Sequence, residues 1–526
     1  MSVRRIEIFD TLLRDGAQGE GVVFSLEDKI KLVRALDELG VDYIEAGNPF
    51  SNPKDMELLS FATGRMRLAH ARLAAFGMTR RPYTSAEEDA SLKALAGCGA
   101  HVVSLVGKAS LTQVSSVLGV EPEENLSMIE DSVRFLISKG IGVFFDAEHF
   151  FDGYAEDPDY AVAAIEAARR GGAARAILCD TNGGTLPSDI ARAVGEVGAR
   201  TSIPLGIHCH NDAGLATACS LAAVRAGAVQ VQGTINGYGE RCGNADLCQV
   251  IPGLILKMGL SALNGAGLSR LTDTARLVDD VANMHSNIHA PYVGRSAFAH
   301  KGGMHIDGML KSQASFEHVD PALVGNSRRY LVSEMAGRSA LMTRLMKIEP
   351  SLGRSSEETG EILSQIKRLE SEGYSFEDAD GSLGLRILGM LGRRQEFFRV
   401  LDFHVISRKP DGSADAQAYV KVAVGDQVEI TADEGDGPIN ALDKALRKAL
   451  TRFYPIMNSM RLTDFKVRVV SEQGTASAVR VHIDSTDGAN VFSTVGVSTN
   501  VLEAGFTAMT DAIDCLLMKH TNRGKN

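Results

Sequence analysis

The sequence predicts an α/β chain. A closed (β/α)8 TIM barrel is followed by a helical connector and a C-terminal α+β domain of two pseudo-repeats. Three observations carry this expectation. Short β-rich runs alternate with amphipathic helical segments over roughly the first half of the chain. Polar or Gly-rich clusters sit at the C-terminal ends of most of those strands and are sparse at the opposite ends. The last stretch of the chain repeats itself, helix included.

The strand candidates, in order, are "RRIEIFD", "VDYIEAG", "RLAAFG", "HVVSLVG", "GVFFDAEH", "ARAILCDT", "IPLGIHCH" and "AVQVQGTI". Between them lie amphipathic segments such as "SLEDKIKLVRALDELG", where Ser25 is a helix cap and Gly40 a stop. "EPEENLSMIEDSVRFLISKG" and "LPSDIARAVGEVGAR" follow the same pattern. Strand-helix alternation implies a parallel sheet, and eight units close a barrel. The alternative is an open doubly wound sheet, but no Gly-rich nucleotide fingerprint follows the first strand. The barrel is assigned to residues 1–270 and the connector to 271–394. "SSEETGEILSQIKRLESEGYSF" reads there as a charged helix ended by Gly373. Residues 395–526 hold the repeat: "LDFHVISRK" with "AQAYVKVAVGDQVEITADEGDGPINALDKALRKAL" is echoed by "TDFKVRVVS" with "ASAVRVHIDSTDGANVFSTVGVSTNVLEAGFTAMTDAIDCLL". Each copy reads as three strands, a turn-rich stretch and a helix. It carries no catalytic cluster, so a ligand-sensing or dimerising role is expected.

A barrel places chemistry at the C-terminal ends of its strands. There the chain has "LRDGAQ", "IEAGNP", "DAEHF", "CDTNGG", "HCHND" and "NGYGERCGNADL". In "GIHCHNDAG", His208 and His210 are two apart on a strand, so both face one target while Cys209 points away. With Asp15 they form a candidate metal core, since a carboxylate and two imidazoles suit Mg, Mn, Zn, Co or Fe. Asn244 is a further ligand or a supporting partner. The bland alternative is a pair of imidazoles hydrogen-bonded in a packed loop. Arg14 adjoins Asp15 and offers a permanent cation to developing negative charge, unless it is spent on a salt bridge. Asp146 and Glu148 share a face of the fifth strand, where a carboxylate serves as base or orienter. Glu45 is placed to hold Arg14, and Thr181 to hydrogen-bond a substrate carboxylate. For each of these four a structural hydrogen bond is the competing reading. His300 and His305, in "HKGGMHIDG", lie outside the barrel, where a solvated loop histidine is the competing reading.

Composition narrows the classes. A net charge of −11 argues against a general nucleic-acid or anionic-membrane binder. No apolar run is long enough to span a bilayer, and the start lacks a signal-length apolar core. Seven cysteines without a C-x-x-C pair suit a reduced, cytoplasmic chain.

"FDTLLRDGAQ", "IEAGNP", "DTNGG", "HCHND", "GYGERCGN" and "HKGGMHIDG" occur in this order ahead of the repeated domain. The whole chain thereby resembles the 2-isopropylmalate/homocitrate/citramalate synthase family. "FFDAEHFFDGY" and "ESEGYSFEDADGSLGL" look more like its citramalate branch. The resemblance implies a metal-dependent condensation in which acetyl-CoA attacks a 2-oxo acid and the thioester is hydrolysed. In that branch the oxo acid is pyruvate, the product (R)-citramalate, and the route leads to isoleucine. By motif position Asp15, His208 and His210 match the metal ligands (Mg, Mn, Zn or Co), with Asn244 beside them. Arg14 matches the arginine at the substrate carbonyl, Gln18, Glu45 and Thr181 match polar substrate contacts, and Glu148 matches a catalytic glutamate. His305 matches a connector histidine that helps proton transfer at the other subunit's barrel of a homodimer. The C-terminal domain implies feedback inhibition, with isoleucine the expected effector. The related activities, 2-isopropylmalate or homocitrate synthesis and metal-dependent acyl-CoA cleavage, are the alternatives. The third strand's "AAFGMTRR" lacks a histidine that some relatives carry, which leaves the oxo-acid pocket open.

Overall fold

The computed structural model describes residues 3–265, 267–300, 305, 308–309, 311–312, 315–330, 345, 357–376, 379–407, 416–470, 474–488 and 490–523. These divide into two compact units, one of residues 1–298 with 317–328 and one of 299–316 with 329–526.

The first unit is the expected barrel. Its strands are β1 (Glu7–Asp10), β2 (Tyr43–Gly47), β3 (Arg72–Met78), β4 (Val102–Lys108), β5 (Gly142–Glu148), β6 (Arg175–Asp180), β7 (Leu205–Cys209) and β8 (Gln230–Gly233), and they close in sequence order. Every neighbouring pair is parallel, including β1 with β8. Helices on the outside bury their apolar stripes against the strands. Leu26–Leu39 is typical: it turns Leu32, Val33, Leu36 and Leu39 inward. Ser25 and Asp28 close a reciprocal capping box at its start. Its stop at Gly40 adopts φ +92°, the left-handed conformation expected of a helix terminator.

The barrel interior is layered. Phe9, Tyr43 and Phe144 pack against one another with ring centroids 5.0–6.1 Å apart, forming an apolar floor with Ala74, Val102 and Ile177. Inward positions nearer the strand ends are polar: Glu45, Ser104, Asp146, His208 and Gln232 are all buried. The period of two along each strand carries this change from apolar to polar up the barrel. Buried Lys29 ties the ends of β1 and β2 together, donating to Leu13 O (2.9 Å), Ala46 O (3.4 Å) and Asp55 (2.6 Å) of the next helix. Its helix thereby anchors the backbone just before Arg14.

In the second unit the sequence repeat becomes two three-stranded antiparallel sheets. One is Arg399–Ser407, Ala416–Val424 and Gln427–Gly435; the other is Arg461–Val469, Val479–Thr486 and Val491–Ser498. Each is followed by a helix, Pro438–Thr451 in the first copy and Val501–Arg523 in the second. Both first strands carry a register shift just before their shared Asp-Phe pair, between Val400 and Asp402 and between Leu462 and Asp464. Apolar residues of both copies, among them Val420, Leu446, Ile483 and Leu516, form one core. Among the described residues no helix is long and apolar enough to cross a membrane.

Candidate active site

The turn after β1 sets the first two groups. The backbone N–H groups of Arg14, Asp15 and Gly16 all converge on Thr11 O, at 3.2, 2.9 and 3.1 Å. The chain doubles back there, and both Arg14 and Asp15 line the mouth. Across the barrel β7 delivers His208, and His210 follows with its ring centroid 5.3 Å away. Asp15 Oδ2 lies 3.4 Å from His208 Nε2 and 3.8 Å from His210 Nε2. One donor atom from each of the three falls within 4.8 Å of the others, and all three residues are buried.

This trio fits a divalent ion on its own chemistry. A carboxylate and two imidazole nitrogens converge there, with Arg14 beside the Asp15 oxygen that faces them. The second carboxylate oxygen of Asp15 is buried with no hydrogen-bond partner, as is Asn244 Oδ1. Leaving such atoms unpaired is costly unless something else satisfies them. Asn244 is held beside the pair by an antiparallel backbone bridge to His210. Its Nδ2 donates to Tyr238 O (3.1 Å), leaving its carbonyl oxygen over. Gly243 makes this loop possible: φ is +86°, and a Cβ there would lie 2.0 Å from Gly237 O.

Charge is finely balanced. Burial pushes the Asp15 carboxyl up, but the Arg14 guanidinium and His208 overcome it and hold the group well below the usual carboxylate range. Burial and the neighbouring His208 hold His210 down at about 4, so its imidazole is neutral at physiological pH. Arg14 donates Nε–H to Glu45 (2.7 Å), lies 3.2 Å from Asp15 and stacks over Phe76 at 4.1 Å. Glu45 is completely buried; burial raises its carboxyl to about 7 against the pull of Arg14.

One cavity of about 290 Å³ collects Arg14, Asp15, Gln18, Glu148, Thr181, His208 and His210. Glu45 stands behind Arg14 and Asn244 beside His210. Thr181 Oγ1 accepts His149 N–H (2.8 Å), which keeps its own O–H available for donation. His305 belongs to the second unit, where it is exposed and its ring stacks on Phe316 at 4.3 Å. Sequence reasoning passed over several residues of the mouth. Lys108 ends β4 and pairs with Glu148; its signal was the inward register of Ser104, Val106 and Lys108, two apart. Arg241, inside "GYGERCGN", donates to Asp212 and to Thr181 O and lies 2.9 Å from His210 Nδ1. Phe76, Met78 and Val106 give the cavity an apolar wall, which no polar motif announced.

Comparison with known proteins agrees with this architecture. Residues 5–278 match the family described as HMGL-like, 292–374 the homocitrate synthase post-HMGL domain-like family, and 378–517 the LeuA allosteric (dimerisation) domain. An (R)-citramalate synthase of Aquifex aeolicus is 46% identical over 524 residues, covering 99% of each chain. One from Geobacter sulfurreducens is 45% identical over 517 residues, covering 98% of each. One from Streptomyces coelicolor is 43% identical, covering 96% of this chain and 95% of that one. The chain belongs to the (R)-citramalate synthase family.

Members of the citramalate synthase family are condensing acyltransferases, and this chain is one. The chemistry of the HMGL-like barrel depends on a metal, and among the described residues Asp15, His208 and His210 form a group that could hold one.

Proposed function

We propose that the chain makes (R)-citramalate and CoA from acetyl-CoA and pyruvate, hydrolysing the thioester, on a route to isoleucine. The observation that carries this reading is the cavity: a three-residue metal donor set, an arginine and the apolar side chains Phe76, Met78 and Val106 line one space. Asp15, His208 and His210, with Asn244 beside them, would hold the divalent ion (Mg, Mn, Zn or Co). When bound, it supplies Lewis-acid polarisation of a 2-oxo acid's carbonyl.

The chain's own residues account for the rest. Arg14 aims a guanidinium into the mouth, fixed by Glu45 and by the face of Phe76, and offsets negative charge as the keto oxygen becomes an alkoxide. Thr181 donates its O–H to the substrate carboxylate. Glu148 takes the methyl proton of the acetyl thioester, and the C–C bond forms between that methyl carbon and the keto carbon. His305, from a second copy of the chain, assists proton transfer. Water then adds to the thioester and CoA leaves as the thiol. Phe76, Met78 and Val106 line the space available to the oxo acid's alkyl end, which suits a methyl group. Each extra methylene changes selectivity by about 1–3 kcal/mol.

The LeuA-type domain supports a homodimer with an amino-acid effector, isoleucine being our choice, and the reduced cysteines suit a cytoplasmic enzyme. The test is an assay of the purified chain with acetyl-CoA and a panel of oxo acids, following released thiol. Pyruvate is expected to give the highest kcat/KM. Preferred turnover of 2-oxoisovalerate would defeat the reading.

A further inference from the structure

Behind His208 the barrel interior holds three polar side chains, of which Asp146 also lines the cavity while Gln232 and Ser104 lie beneath it. His208 Nδ1 lies 2.9 Å from Gln232 Oε1, the amide of β8's inward residue. Gln232 Nε2 donates to Asp146 Oδ1 on β5 at 3.3 Å. Asp146 Oδ2 accepts the Ser104 hydroxyl of β4 at 2.5 Å. Gln232 and Ser104 are fully buried and Asp146 is 3% exposed, so no solvent competes for these bonds. Residues of four strands thus meet in a single line of hydrogen bonds.

The line has a direction. Asp146 Oδ1 is an acceptor whether or not Oδ2, the oxygen shared with Ser104, carries a proton. With Oδ1 accepting, Gln232 turns its NH2 to Asp146 and its carbonyl oxygen to His208. A carbonyl oxygen facing Nδ1 requires a proton there, which leaves the lone pair on Nε2. That nitrogen is the one that faces Asp15. His210 has no such support: its Nδ1 faces the guanidinium of Arg241. We propose that Gln232, Asp146 and Ser104 are positioning residues that fix His208 in its Nδ1–H tautomer, holding Nε2 ready for the metal. The inference rests on the reading of His208 as a metal ligand.

The test titrates Co2+ into the chelator-treated full-length protein, reading affinity by calorimetry and ligand geometry from the visible absorption of the bound ion. Supporting groups of this kind typically contribute about tenfold to a hundredfold in metal affinity. A loss of that size is expected for Gln232→Leu. Asp146→Asn is expected to behave likewise, because its amide lets Gln232 turn over and present NH2 to His208. The double variant Gln232→Glu with Asp146→Asn restores an acceptor opposite Nδ1, and it is expected to recover affinity. A purely structural role would lower the melting temperature of the metal-free protein and leave Co2+ affinity unchanged. Wild-type affinity in Gln232→Leu and Asp146→Asn, with loss in His208→Ala, overturns the inference alone. Wild-type affinity in His208→Ala removes the metal site and the inference with it. If Gln232→Leu does not fold, Asp146→Asn and its rescue decide the matter.

Discussion

At the scale of single residues, the mouth is decided by a few buried groups whose neighbours leave them one role each. Arg14 is committed on three sides, by Glu45, Asp15 and the Phe76 ring. Its substitution therefore reaches beyond the loss of one charge. Arg14→Lys is expected to lower kcat by about a hundredfold, since an ammonium cannot reproduce the fork or the stacking; steady-state kinetics with pyruvate check it. His208→Ala is expected to abolish metal-dependent turnover while far-UV circular dichroism stays native. A second, purely structural case lies outside the mouth. Asp37 accepts the backbone N–H groups of Ala69, His70 and Ala71, each at 2.8 Å. Asp37→Ala strands three donors, at about 1–3 kcal/mol for each that water does not reach. Chemical denaturation is expected to show a loss of at least about 2 kcal/mol, with kcat per folded molecule unchanged.

At the scale of elements, helix ends and the clasps made on helices carry the testable energetics. A Cβ at Gly40 would sit 2.1 Å from Asn264 O, in a backbone conformation that already disfavours a side chain. Gly40→Ala is expected to cost about 1–3 kcal/mol and to lower the melting temperature of the barrel unit. In the second unit, Arg394 bonds Asp514 (2.6 Å) and Asp511 (3.2 Å) on the last helix. Burial raises the Asp514 carboxyl from 3.8 to about 6, although Arg394 works against it. An acid whose folded pKa is raised binds its proton more tightly when folded. Its contribution is most favourable below pH about 4 and is lost as pH rises through about 6. Asp514→Asn is expected to gain on the wild type by about 1–2 kcal/mol between pH 4.5 and 7.5. Equal melting curves at both pH values would contradict this.

At the scale of the whole molecule, two units with separate cores share one chain, and metal should stabilise only one of them. Chelator treatment is expected to lower the barrel transition in calorimetry, and added divalent ion to restore it by mass action. The transition of residues 395–526 should not respond. Light scattering is expected to give a dimer for the full chain and a monomer when the LeuA-type domain is removed, in line with the role proposed for that domain.

Much of this architecture is legible in the order of the residues. Period-two strands and capped amphipathic helices are local signals, so the eight-strand order, the Ser25 cap and the doubled C-terminal sheet can be read along the chain. The H-x-H spacing alone puts two imidazoles on one side of a strand, and the position of Arg-Asp after the first strand names their partners. Lys108, Gln232 and Arg241 are out of reach for one reason: a lone polar residue on a strand or loop acquires meaning only from what faces it. The pairing of Lys108 with Glu148 depends on the register of β4 against β5, and the contact of Gln232 with His208 on that of β7 against β8. Sequence by itself determined the elements and the donor types; barrel closure, which brings β1 beside β8, decided which side chains meet, because contacts between distant residues follow from register and not from order along the chain.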